Sequence, residues 1–169
     1  MKGDEQHLNS VASVDGGFLI AGFGRRPPGA SSWRAATRGF VRSVPDGNLI
    51  MAPLYHPHSI CRLARGEVAV CESPRRHVVT SEGRVSDPLP GYARGLLRAG
   101  DKLYAGTSRH RRPSEPASIL DYGPATSEID DGACSVCQLD AATLGLESVI
   151  PLDPHGREVY DIVALPEYP

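Results

Sequence analysis

Aromatic residues and long apolar runs are both scarce in this chain of 169 residues. Phe, Trp and Tyr make up 6% of the sequence, and no apolar run exceeds four residues, as in Phe18-Leu19-Ile20-Ala21. A membrane-spanning helix needs about 20 such residues, and Met1–Ser10 lacks the apolar segment of a secretion signal. So few aromatic side chains also argue against a stacking platform for nucleic acid. We therefore expect a soluble, cytoplasmic protein whose partner is neither a membrane nor a nucleic acid.

Cysteine is equally sparse, and the four cysteines do not complete a zinc site. Cys134 and Cys137 have the spacing of half a site, but nine residues separate Cys61 from Cys71, so no second pair is present. Residues three apart in a strand point to opposite faces, so Cys134 and Cys137 should not converge on one ion. Four reduced, mostly buried thiols are predicted.

Glycine and proline are abundant, with 18 and 15 residues respectively. This composition favours short strands joined by many turns, and the length is that of one domain spanning residues 1–169. Three segments repeat one pattern of strand, tight turn, strand and basic loop, and the loops begin at Arg25, Arg75 and Arg109. Such a repeat predicts an all-β fold, a partial β-propeller of about three four-stranded blades plus the first strand of a fourth.

The boundaries of this predicted propeller follow from the turns. The blades span about residues 7–54, 56–89 and 92–152, and the extra strand is 159–165. The predicted strands are His7–Ser13, Phe18–Phe23, Gly39–Val44, Leu49–Leu54, Ser59–Leu63, Glu67–Glu72, His77–Ser81, Val85–Leu89, Arg94–Arg98, Lys102–Thr107, Cys134–Leu139, Leu146–Leu152 and Val159–Leu165. Asp46-Gly47, Glu82-Gly83 and Asp140–Gly145 are the predicted connections.

Aligning the first strands of the blades brings one column into register: Ser10, Ser59, Gly95 and Asp161. In every one of these strands, the residues one and three positions before the column are polar. Because side chains in a strand alternate between its two faces, these two residues lie on the same face. In a propeller the first strands line a central channel. The predicted channel lining is His7, Asn9, His56, His58, Tyr92, Arg94, Glu158 and Tyr160.

The basic loops follow the second strand of each blade, which returns to the end where the first strand begins. They should therefore surround one mouth of the channel. This basic rim comprises Arg25, Arg26, Arg75, Arg76, Arg109, Arg111 and Arg112, with His77 and His110. Such a rim attracts a carboxylate, phosphate or sulfate.

Two functions fit these residues. The first is a binding module for an anionic small molecule or an acidic segment of a partner protein. The second is an enzyme of the lactonase or lyase kind, in which His7, His56 or His58 acts as a general base or metal ligand while Arg94 orients an anionic substrate. No nucleophile motif, phosphate loop or carboxylate pair decides between them, and no cofactor is identified.

An ordered set of motifs adds a family resemblance. These motifs are His7-x-Asn9, the Trp33-Arg34 loop, Pro57-His58-Ser59, Pro90-Gly91-x-x-Arg94-Gly95-Leu96, Gly106-x-Ser108-Arg109 and Tyr160-Asp161-Ile162-Val163-x-Leu165-Pro166. The set resembles the later half of an uncharacterised bacterial family of propeller-like conserved hypothetical proteins. The resemblance implies about six blades, on a general plan akin to gluconolactonase and strictosidine synthase, and it implies no activity.

The chain departs from that family because members carry a further amino-terminal half with additional blades. Three blades cannot close a ring, and exposed sheet edges promote association. We therefore expect a fragment of a longer product, an open half-ring, a homodimer, or a complex in which another protein supplies the missing blades. Of the gluconolactonase-type metal ligands, only Asn9, Glu158 and Asp161 are of suitable type.

Overall fold

Short segments bounded by turns fold as antiparallel strands, as the glycine and proline content predicts. The computed structural model describes residues 5–30, 32–109 and 132–165. Its strands are β1 (Leu8–Val14), β2 (Gly17–Gly22), β3 (Gly39–Val44), β4 (Leu49–Leu54), β5 (Pro57–Arg62), β6 (Val68–Glu72), β7 (His77–Thr80), β8 (Tyr92–Ala99), β9 (Lys102–Ser108), β10 (Ser135–Asp140) and β11 (Leu146–Pro151). The predicted all-β fold class is confirmed.

The strands form three antiparallel sheets in chain order. The first sheet contains β1 to β4, the second β5 to β7, and the third β8 to β11. Gly47 and Gly83 adopt positive φ angles of 73° and 80° in the predicted turns. Glycine suits both turns because it has no Cβ to clash in the left-handed region. In the part of the chain that the structure describes, no helix is long and apolar enough to cross a membrane.

Two predicted strands are wrong. Val85–Leu89 contributes only one isolated bridge, between Val79 and Val85, so the second sheet has three strands. Pro88 has no N–H group to donate to a ladder, and the segment is held beside β7 by single hydrogen bonds from the Ser86 and Leu89 amides to Val78 O and Arg76 O. Val159–Leu165 is not a strand either. Its Val159 exchanges hydrogen bonds with the Ser108 hydroxyl, at 3.0 and 3.1 Å, in place of a backbone ladder.

Each sheet packs against its neighbour through one apolar face. The core between the first and second sheets contains Leu19, Ala21, Val41, Met51, Leu54, Val68 and Val70. The core between the second and third sheets contains Leu63, Ala69, Cys71, Val78, Leu89, Ala93, Leu96, Leu103, Ala105, Cys137, Leu139 and Leu144. All four cysteines are free, and Cys71, Cys134 and Cys137 are buried, as predicted.

The predicted column of first-strand residues joins all three sheets. The Ser59 amide donates to Ser10 Oγ at 2.7 Å, and the Gly95 amide donates to Ser59 Oγ at 2.8 Å. The pairing of β1, β5 and β8 with their neighbours shifts register at this level, as in a β-bulge. A Cβ atom on Gly95 would lie 3.0 Å from the Cα of Asp161, so the fourth member of the column also lies here.

Gly95 and Gly100 offer a matched test of this packing, since their φ angles are 66° and 62°. An alanine at either position strains the backbone, but only at Gly95 would the new Cβ meet other atoms within 4 Å. We expect Gly95→Ala to lower the free energy of unfolding by about 1–3 kcal/mol more than Gly100→Ala. Denaturant titration measures both, and equal losses would contradict the close approach of Asp161.

Candidate functional site

The three candidate histidines surround one aromatic ring. Phe23 lies just beyond β2, and its ring centroid is 4.6 Å from that of His7, 4.5 Å from that of His56 and 5.3 Å from that of His58. His7 and His56 immediately precede β1 and β5, respectively, and both have left-handed backbones, with φ of 46° and 45°. The same local conformation in two repeats thus turns both rings toward Phe23.

The rings continue into a longer stack. Tyr55 stacks on His56 at 4.5 Å, and Trp33 stacks on His7 at 4.9 Å. The Arg75 guanidinium lies 5.5 Å from the Tyr55 ring centroid, and that of Arg26 lies 5.2 Å from the Trp33 ring centroid. We call this set the ring stack, and its members in order are Arg75, Tyr55, His56, Phe23, His7, Trp33 and Arg26.

Sequence reasoning missed the aromatic members of the ring stack, Phe23, Trp33 and Tyr55. A content of 6% aromatic residues describes the average of the chain and not its clustering. A signal was present, because Tyr55 precedes His56 directly and Trp33 belongs to one of the resemblance motifs. The clustering of these rings therefore weakens the argument that a low aromatic content excludes a stacking platform.

Burial keeps two of the histidines neutral. It lowers the pKa of His56 to about 4, although the backbone carbonyls of Ala36 and Arg34 partly oppose the shift. It lowers the pKa of His58 to about 3, and the positive charge of Arg94 acts in the same direction. Both imidazoles are therefore uncharged at pH 7, and each has one donor and one acceptor nitrogen.

Arg94 is a half-buried cation without a carboxylate partner among the described residues. Its guanidinium lies 5.4 Å from the Tyr160 ring centroid, and its Nε is buried with no hydrogen-bond acceptor in the described part of the chain. Arg84, by contrast, pairs with the buried carboxylate of Glu67. A buried polar group is costly unless it is paired, and Arg94 Nε has no such partner among the described residues.

Two further predicted lining residues also carry buried atoms without partners. The Asn9 side chain donates from Nδ2 to Pro57 O at 2.9 Å, but no described residue donates to its Oδ1. His56 Nε2 likewise has no hydrogen-bond partner within the described ranges. Across residues 5–30, 32–109 and 132–165, all buried side-chain polar atoms without partners belong to Asn9, His56 and Arg94. Such atoms are rare in folded proteins, and these three belong to residues of the predicted channel lining.

The basic rim is partly neutralised within the chain. Arg75 pairs with Glu72 at 3.2 Å, and Arg109 pairs with Asp153 at 2.5 Å. His77 Nδ1 lies 3.1 Å from Ser86 O. Arg25 is exposed, and Arg76 has a left-handed backbone with φ of 58°. His110, Arg111 and Arg112 lie outside the described residues.

The other predicted lining residues lie along the third sheet. Tyr92 begins β8 and pairs with Ser108 at the end of β9. Glu158 is half-buried and precedes Val159, which bonds to the Ser108 hydroxyl. Tyr160 is mostly exposed beneath the Arg94 guanidinium. Of the predicted lining, the structure therefore connects His7, His56 and His58 through Phe23, and Arg94 to Tyr160.

No group of three or more His, Cys, Asp or Glu side chains in the described part of the chain is arranged to hold a metal ion. The candidate ligands His7, His56 and His58 instead contact the Phe23 ring. Of the residues with suitable oxygen ligands, Asn9 is bonded to Pro57 O and Asp161 Oδ1 accepts from the amide of Ile162.

The low pKa of His56 predicts acid lability. Between about pH 6.5 and pH 4 the unfolded state binds a proton that the folded state does not, so the free energy of unfolding falls as the pH is lowered. Each tenfold difference in proton affinity between the two states corresponds to about 1.4 kcal/mol. We expect His56→Gln to show a shallower pH dependence in denaturant titrations, whereas the exposed control His155→Gln keeps that of the wild type. An unchanged slope in His56→Gln would contradict the buried, neutral state of His56.

Comparisons with known proteins identify a family without an assigned activity. No curated protein matches the chain. A solved structure of a protein of unknown function from Bacteroides caccae is similar, with 12% identity and a TM-score of 0.46. The match covers 87% of this chain and 50% of that chain, so this chain spans about half of its length. The family model described as Domain of unknown function (DUF4915) matches residues 1–169, and the chain therefore belongs to this family.

Proposed function

We propose that this protein is a binding module for a small anionic molecule and that Arg94 holds the negative group of the ligand. One observation carries the proposal. Arg94 is half-buried, its Nε has no acceptor, and no carboxylate among the described residues pairs with it. The guanidinium presents donors in a fixed fork that matches the geometry of a carboxylate or phosphate.

The surroundings of Arg94 support an external anion. His58 is the neighbouring candidate, and its neutral ring does not compete for the charge. Arg75 and Arg109 already have carboxylate partners, so these two rim residues are less available than Arg94 for charge recognition. An acidic segment of a partner protein remains the alternative ligand of the same chemistry.

Binding is better supported than catalysis. A general base works best when its pKa lies near the operating pH, but His56 and His58 have pKa values of about 4 and about 3. They are therefore weak bases at pH 7. The alternative, a metal- or histidine-dependent enzyme acting on an anionic small molecule, would require the ligand to raise these pKa values or His7 to act as the base.

We further propose that the three sheets are blades of a β-propeller, completed by a second copy or by another protein. The face of the first sheet opposite its core supports this assembly, because it is apolar and exposed. Its exposed residues are Leu8, Val11, Phe18, Val44 and Leu49. Exposed apolar patches of this kind mark interaction surfaces.

The anion site is tested with tricarballylate, a small tricarboxylate, by calorimetry at low and at physiological ionic strength. We expect binding to wild type that weakens with salt, and a loss of about tenfold or more in Arg94→Gln, because a charged hydrogen bond is removed. Arg98→Gln is the matched control, since Arg98 is exposed on the same strand and its side chain donates to Gly100 O at 3.1 Å.

Equal affinity of wild type and Arg94→Gln for tricarballylate would overturn the assignment of Arg94. Binding of an acidic peptide that also depends on Arg94, with no binding of tricarballylate, would replace the small molecule by a partner segment. Circular dichroism of each variant verifies that the fold is retained.

The assembly is tested by light scattering across a range of concentrations. We expect wild type to be a dimer or larger complex and Val11→Lys to dissociate it, because Val11 is 68% exposed on the open face of the first sheet. Val85→Lys is the control, since Val85 is 56% exposed and lies beside the second sheet, where it forms an isolated bridge with Val79. A monomeric wild type, whether alone or after mixing with a cell extract, would contradict the proposal.

A further inference from the structure

We infer that the anion bound at Arg94 is a hydroxycarboxylate, with its acid group on Arg94 and its hydroxyl donating to Asn9 or His58. This inference rests on the proposed function. It goes further because it names the chemical class of the ligand and two residues that select it.

The three residues occupy equivalent places on neighbouring strands. Asn9, His58 and Arg94 each directly precede a member of the column Ser10, Ser59 and Gly95. The column bonds of 2.7 and 2.8 Å hold β1 beside β5 and β5 beside β8. A second link, from Asn9 Nδ2 to Pro57 O at 2.9 Å, ties Asn9 to the residue before His58. A ligand on Arg94 of β8 therefore lies next to His58 of β5. Asn9 belongs to β1, which is the neighbour of β5 on its other side.

The hydrogen-bonding capacity of these residues is unequal. Arg94 offers donors only. Asn9 donates one of the two N–H groups of Nδ2 to Pro57 O, and its acceptor Oδ1 is buried and without a partner among the described residues. His58 touches Phe23 edge-on at 82°, and its ring makes no hydrogen bond to the described residues. The site thus combines one cationic donor, Arg94, with the unsatisfied acceptor Oδ1 of Asn9 and with the neutral ring of His58, which has one donor and one acceptor nitrogen.

An anion without a hydroxyl group satisfies the donors of Arg94 but not the acceptor of Asn9. Sulfate, fully ionised phosphate and simple carboxylates have acceptor oxygens only, so they suit Arg94 but have no hydrogen to donate to Asn9 Oδ1 or to the acceptor nitrogen of His58. A hydroxyl close to the carboxylate supplies the missing donor. Leaving a buried acceptor unsatisfied is costly, so a site of this kind selects the hydroxylated acid over its deoxy analogue.

The state of His58 is consistent with this selection. Burial and the charge of Arg94 lower its pKa to about 3, so its ring keeps an acceptor lone pair at neutral pH. A protonated His58 would have two donors and no acceptor, and it would then favour the bare anion.

Citrate and tricarballylate give a direct test because both carry three carboxylates and only citrate has the central hydroxyl. Calorimetry is done without divalent cations, at a pH above the pKa values of both acids. We expect wild type to bind citrate about tenfold more tightly. Asn9→Ala should reduce this preference at least threefold, whereas Arg94→Gln should weaken both acids. Malate and succinate are a second pair of acids that differ by one hydroxyl. Their affinities for wild type test the preference for a hydroxyl even if Asn9→Ala does not fold.

The outcomes separate the two proposals. If citrate and tricarballylate bind equally and both depend on Arg94, the anion site stands and the hydroxycarboxylate inference is overturned. If neither pair of acids binds, the anion site itself is overturned. A preference for citrate that persists undiminished in both Asn9→Ala and His58→Phe would remove these residues from ligand selection.

Discussion

Ser59 is the residue on which the arrangement of the three sheets depends. Its amide donates to Ser10 in the first sheet, and its hydroxyl accepts from Gly95 in the third. Apolar packing between sheets is strong but non-directional, so it permits sliding, whereas hydrogen bonds define one register. Ser59 has a left-handed backbone with φ of 55°, which is compatible with the register shift in β5 beside it. The local strain therefore lies where the sheets are joined.

The candidate site takes its geometry from this join. Asn9, His58 and Arg94 are each one residue from the column, so a change in the register of the sheets would move all three. The ring stack adds a second constraint, because Phe23 of the first sheet packs against His56 and His58 of the second. This packing buries polar groups, which is unfavourable. His56 and His58 have low pKa values as a result. Atoms of Asn9, His56 and Arg94 are buried without hydrogen-bond partners among the described residues.

Much of the fold could be predicted because its signals are local. The bounds of β3 and β4 agree with prediction, since Asp46-Gly47 defines their turn, and the column was visible as a repeat. The segment Val85–Leu89 was predicted as a strand because its residues alternate, but Pro88 has no N–H group to donate and the segment forms only an isolated bridge. The contacts of Phe23 with His56 and of Arg109 with Asp153 join residues far apart in the chain, and no local pattern encodes such contacts. For the same reason the sequence did not show that Arg109 has a carboxylate partner.

A ligand at Arg94 would act on the fold as well as on the site. The first strands of the sheets are joined by side-chain-to-backbone bonds and not by a continuous ladder between β1, β5 and β8. A molecule that contacts Arg94 and also Asn9 or His58 adds a polar link between sheets at the level where such links are few. Because a ligand that binds only the folded state stabilises it, occupancy would reinforce the register that forms the site. Ligand binding and the packing of the three sheets would then be coupled, so that each stabilises the other.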